Sequence, residues 1–119
     1  MIHHSIIVTS YNDEVIGKLH KKANEIFNGV SDIVYSPWNA YRSFFIPPDG
    51  SKDGWDASDI GDRRRKQFIN CIEEYRFDDG STSVKWVEVQ FGSEFDETKV
   101  CDHSEDIKYT MQSLLTKDD

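Results

Sequence analysis

No stretch of apolar residues in this chain approaches the roughly 20 needed to span a bilayer, so no membrane-crossing helix is expected. Cysteine is scarce as well. With two cysteines, Cys71 and Cys101, and no secretory leader in its sequence, the chain reads as a cytosolic protein with free thiols rather than a disulfide-stapled secreted module. Positive charge is short: 14 Lys and Arg stand against 22 Asp and Glu, a net charge of -8, which disfavours a duplex nucleic acid partner because phosphate neutralisation needs a basic surface. The familiar catalytic signatures are missing too. There is no GxSxG elbow, no HExxH pair, no CxxC and no GxxxxGK[ST] loop, so neither enzyme activity nor a cofactor is expected.

What is present suits one folded domain. A chain of 119 residues can bury a core unaided. Its 37% hydrophobic and 13% aromatic content is too rich for disorder, while a mean hydropathy of -0.65 implies a heavily solvated surface. The acidity is concentrated late. From Gly92 onward eight acids face three lysines, a balance of -5, and residues 1–91 supply the remaining -3 with 14 acids against 11 bases.

The β-branched run at residues 4–10 predicts a strand. Asn12 or Asp13 can cap a helix to about Asn28, with Val15, Ile16, Leu19, Ala23, Ile26 and Phe27 at helical spacing and Gly29 as its stop. Residues 32–36 and 40–46 predict two strands of a hairpin around Pro37. A second helix is expected over 58–75, its inward face formed by Arg64, Phe68, Cys71, Ile72 and Tyr75. After a turn at Asp79-Gly80, strands are expected over 84–91 and 98–103. Ser104 can then cap a terminal helix over 105–116, carrying Ile107, Met111, Leu114 and Leu115.

This order predicts an α+β fold, a single domain over 1–119 with its core at about 4–103 and a helical extension over 104–119. An antiparallel-rich sheet with two helices on one face is the economical packing, a ferredoxin-like β-α-β-β-α-β variant with an extra strand and a C-terminal helix.

The densest unusual chemistry lies between Pro47 and Lys66. Glycines around Ser51 and Lys52 can form an anion nest, and Trp55 can stack on a base or fold back as a hydrophobic plug. Arg63, Arg64 and Arg65, expected in the first turns of the second helix, can grip phosphate, or be neutralised by Asp59 and Asp62 through i,i+4 pairs with Arg63 and Lys66. Residues 49–66 hold five acids and five bases, so the segment suits a small anion better than a long polyanion. Tyr41, with Tyr35, Trp38 and Arg42, belongs either to the core or to a binding patch. His3, His4, Cys101 and His103 would form a metal site only if the first and last strands were neighbours, and their spacing matches no zinc pattern, so no metal is expected. A second candidate surface is acidic: Glu94, Asp96, Glu97, Glu105 and Asp106 could occupy a basic cleft on another protein.

The opening HHSIIVTS at residues 3–10, YRSFFIPPDGSKDGW at 41–55, Gly61-Asp62, Asp79-Gly80-Ser81 and WVEVQFG at 86–92 together resemble a family of short accessory proteins encoded by tailed bacteriophages. The resemblance covers residues 1–103 and brings no catalytic residues with it. It implies a viral protein in the bacterial host cytoplasm, of a kind that often acts against host defence. Two expectations follow. One is a non-enzymatic, oligomeric protein that sequesters a phosphate-bearing ligand such as a cyclic nucleotide signal through Ser51, Lys52, Trp55, Arg63, Arg64, Arg65 and Tyr41. The other is an inhibitor of the anti-CRISPR or anti-restriction type, which would dock its acidic surface on a host defence protein.

Overall fold

The computed structural model describes residues 2–49, 56–93 and 96–105. The chain runs β1 (His3–Ser10), α1 (Asp13–Ile26), β2 (Val34–Tyr35), β3 (Arg42–Asp49), α2 (Asp56–Glu73), β4 (Val84–Phe91) and β5 (Lys99–His103). The strands form one sheet in the order β2-β3-β1-β4-β5, every neighbouring pair antiparallel. The expected α+β class with both helices on one face is therefore present. The terminal helix expected beyond Ser104 lies outside the described residues.

Alternation along the strands decides the layering. Ile6 and Val8 on β1, Phe44 and Ile46 on β3, and Val84 and Trp86 on β4 point to one side and meet Ile16, Leu19 and Ala23 of α1 and Phe68 and Ile72 of α2 in a single core. Phe68 is its centre of gravity, stacked edge-on against Phe27 at 5.6 Å and tilted against Phe44 at 6.2 Å.

Helix α1 forms as its sequence dictates. Asn12 Oδ1 accepts the Val15 N–H at 3.1 Å, Asp13 and Glu14 occupy the favourable first turn, and the buried residues recur at helical spacing. The helix stops at Ile26, one turn before Gly29, because Phe27 adopts an extended backbone and turns into the core.

Other boundaries differ from expectation as well: β2 is shorter than residues 32–36 and α2 ends at Glu73 rather than at residue 75. Strand β3 continues through Pro47 and Pro48, which lack N–H donors; they fall where the β1–β3 register slips between His4 and Ile6, while β2 is only two residues long and ends before reaching them. Helix α2 starts at Asp56 rather than Ser58. Its buried stripe is Arg65, Phe68 and Ile72, with Cys71 and Tyr75 half-buried, so Arg65 and not Arg64 turns fully inward. Both thiols are free. Among the described residues no helix is long and apolar enough to cross a membrane.

Candidate functional site

Inward alternation on β4 places Trp86, Glu88 and Gln90 on the helix side of the sheet, and Glu88 is an acid where an apolar residue would be the default. Helix α2 answers it with a cation. The Arg65 side chain, 7% exposed, brings its Nε to 3.6 Å from Glu88 Oε2 and pairs at its other end with Asp62. From β1, which lies beside β4, His4 Nδ1 sits 3.0 Å from the same Glu88 oxygen. At the register shift between Glu88 and Val89, Cys101 is the extra residue on β5, and its Sγ lies 4.0 Å from His4 Nδ1 and 3.7 Å from Gln90 Oε1.

The result is a continuous polar chain, Asp62–Arg65–Glu88–His4–Cys101, along the flank of α2. A cleft between α2 and β5 opens over it, lined by Asp62, Arg65, Lys66, Asn70, Glu88 and Asp102. The cleft continues past Ile69 to Glu73, Arg76, Trp86 and Glu105. Arg76 is committed there, with a two-pronged pairing to Glu73 and a 2.6 Å hydrogen bond to the Gly80 carbonyl.

The cluster has the residue types of a thiol hydrolase but not the wiring. A working relay uses both imidazole nitrogens, one toward the thiol and one toward the carboxylate. Here Cys101 and Glu88 both face Nδ1. Burial, and after it the Glu88 charge, pushes the Cys101 thiol above its ordinary value, the reverse of nucleophile activation. What the arrangement does well is hold a half-buried carboxylate in place with two donors.

Of the residues expected to hold phosphate, the described ones do not share a site. Ser51, Lys52 and Trp55 lie outside the described residues. Arg63, Arg64 and Arg65 stand in the third turn of α2, beyond the four free N–H groups that make a helix start attractive to anions. Successive residues there point about 100° apart, so Arg63 is exposed, Arg64 half-buried and Arg65 buried. The anticipated i,i+4 pairs from Asp59 to Arg63 and Asp62 to Lys66 are not formed among the described residues; Asp62 takes Arg65 instead. Tyr41 stacks edge-on against Tyr11 at 6.0 Å, beside the β1–β3 row of Ser10 and Arg42. That row lies four positions, about 13 Å, along β1 from the Ile6–Glu88 row, so Tyr41 and Arg65 do not share a site.

Of the histidines and thiol considered for metal, only His4 and Cys101 meet. Strand β4 separates β1 from β5, His3 faces the opposite side of the sheet from His4, and His103 pairs with Val87. No group of three or more metal-binding side chains converges among the described residues. The acidic surface fares differently: Asp96, Glu97 and Glu105 are exposed at the β4–β5 hairpin with Asp102, while Glu94 and Asp106 lie outside the described residues. Trp38 is not core: it stands 92% exposed at the tip of the β2–β3 hairpin, and Arg42, which lies 4.9 Å over the Tyr35 ring, pairs with Asp13.

Glu88 is not among the residues that the sequence reading marks as functional. Its signal is an acid at an inward position two residues after Trp86, which demands a cation from whatever packs above it. No protein-family model, curated protein or solved structure matches the chain.

Proposed function

We propose that this chain is a non-enzymatic binding protein of a tailed phage, active in the bacterial host cytoplasm, which disables a host defence protein by laying its acidic β4–β5 edge on a basic site. The observation that supports this reading over a phosphate-holding one is the commitment of Arg65, one of the three arginines expected to hold phosphate. Arg65 is buried against Glu88 and Asp62, and Arg76 is held by Glu73. A guanidinium already paired with carboxylates inside the fold offers little to an incoming phosphate.

Around β5 the exposed acids outnumber the strand's own lysine, Lys99. Asp96, Glu97, Asp102 and Glu105 surround β5, whose five residues are all exposed at the edge of the sheet. Acids arrayed along an open edge steer association with a basic partner, and the unpaired backbone groups of the edge add hydrogen bonds once contact is made. Within this reading the fold is a ferredoxin-like variant, a topology consistent with the β2-β3-β1-β4 order and the two helices on one side, with β5 as the added strand and a helix beyond Ser104.

A second reading, sequestration of a phosphate-bearing ligand such as a cyclic nucleotide, rests on the exposed Arg63 beside Lys66. One experiment separates the two. Tagged wild-type chain and two variant sets, one neutralising Asp96, Glu97 and Glu105 and one neutralising Lys52, Arg63 and Arg64, are used for capture from host lysate at stepped salt and for calorimetry with cyclic di- and trinucleotides. The acidic-edge reading expects salt-sensitive capture of a defence protein that only the acid set abolishes. Nucleotide binding lost only in the basic set would replace it with the second reading, and capture indifferent to the acids would sink it.

A further inference from the structure

The side of the sheet away from the helices is unusually apolar. Ile7 on β1, Phe45 on β3 and Phe91 on β4 are 44%, 42% and 43% exposed, and Val34 on β2 and Val100 on β5 are 63% and 55% exposed. The registers put all five on this one face, because Val34 opposes Ser43, Ile7 opposes Phe45 and Val87, and Val100 opposes Val89. Ile7, Val34, Phe45, Pro48, Val89 and Phe91 also line one shallow depression. Contiguous apolar surface of this extent marks an interaction site rather than ordinary surface scatter.

We propose that this outer face is where two copies of the chain associate, back to back, about a two-fold axis near Ile7. Charge supports a second copy as the occupant. The chain carries a net -8, and two such molecules repel wherever their acids face one another. None of the outward-facing strand positions, from His3, Ser5, Ile7 and Thr9 through Ser43, Phe45, Lys85, Val87 and Val89 to Phe91, is an acid. The face therefore lets two copies approach with their acidic edges turned aside. Symmetry supports it as well. Strand β1 is the third of five, and apolar residues lie on both sides of it, Phe45 and Val34 toward β2 and Val89, Phe91 and Val100 toward β5. A two-fold axis through the middle strand sets each half against the other half of its twin, the self-complementarity an isologous contact requires. The area bears on it too: strands of 8, 2, 8, 8 and 5 residues, about 4.8 Å apart and rising about 3.3 Å per residue, give a plan of roughly 500 Å², which side-chain relief and the rim carry toward the ~800 Å² per partner of a standard interface.

The proposal does not rest on the acidic-edge reading, since β5's edge stays open in the dimer. Sedimentation velocity across a hundredfold range of concentration tests it with the full chain and three variants, all checked for folding by circular dichroism. The wild type is expected to dimerise, with Phe45→Lys and Val34→Lys each weakening association at least about tenfold. Gln67→Lys, which adds the same charge on exposed α2, is expected to change nothing. Val34 sits on the two-residue β2 and is mostly exposed, so its variant reports on association even if Phe45→Lys perturbs the fold. A wild-type monomer at every concentration overturns the proposal and leaves the face to the chain's own residues beyond Glu105 or to another protein. A dimer indifferent to both sheet substitutions, or equally weakened by Gln67→Lys, overturns it too.

Discussion

Arg65, in the third turn of α2, places its Nε 3.6 Å from the Glu88 carboxylate on β4, and that carboxylate also holds His4 Nδ1 at 3.0 Å. The pairing ties a helix to the two central strands through one oxygen. With the Arg65 side chain 7% exposed and Glu88 15% exposed, removing one partner strands a largely desolvated charge. Arg65→Ala is expected to lower stability by about 2–4 kcal/mol in urea unfolding, and Arg65→Met with Glu88→Leu to recover most of that loss. Equal losses in the single and double variants would mean that the stranded Glu88 charge is not what Arg65→Ala exposes.

Phe44 and Phe45 are neighbours in sequence with opposite fates, 2% and 42% exposed. Phe44→Ala empties a site packed against Phe68 and His20 and is expected to cost about 3–5 kcal/mol. Phe45→Ala, measured on dilute protein, removes a half-solvated ring and is expected to cost about 1 kcal/mol. If the two losses were reversed, the assignment of core and outer faces would be inverted.

That pair also shows how far the sequence can be read. Alternation in residues 84–91 and the 3.6-residue period after Asn12 mark elements that are present, although on β4 it is Val84 and Trp86, not the Val87-Val89-Phe91 row, that face the core. The phase of α2 is different. Arg64 and Arg65 lie four and three residues before Phe68, and helical spacing permits either to turn inward. What selects Arg65 is Glu88, an acid on a strand reached only through the strand order. The same order places β4 between β1 and β5, which keeps His3 and His103 apart while letting His4 and Cys101 meet over Gln90. Local pattern carried the elements; the site needed pairings between distant residues, Arg65 with Glu88 and His4 with both Glu88 and Cys101.

Two glycines are expected to respond with opposite sign. Gly80 closes the turn before β4 with φ of 87° and donates its N–H to the Phe77 carbonyl at 2.9 Å, a conformation in which a Cβ is strained. Gly17 is helical and exposed, with open space where its Cβ would stand. Gly80→Ala should lower stability by about 1 kcal/mol and Gly17→Ala raise it by a similar amount, read as opposite shifts of the thermal midpoint. Shifts of the same sign would contradict the backbone at one of the two sites.

The Cys101 thiol is held above its ordinary value first by desolvation and then by the Glu88 charge, with Lys99 and Arg65 acting weakly the other way. For an acid with a raised pKa, the thiolate appears only at higher pH than in a free cysteine. Alkylation depends on thiolate, so Cys101 is expected to react with iodoacetamide more slowly than free cysteine at mildly alkaline pH, its pH–rate curve displaced upward. Glu88→Gln removes the charge but keeps the shape, and should move the curve part of the way back, because burial remains. Cys71→Ser in the background confines the signal to Cys101. A curve displaced below that of free cysteine would mean that His4 activates the thiol after all, and would reopen the cluster as a nucleophilic site.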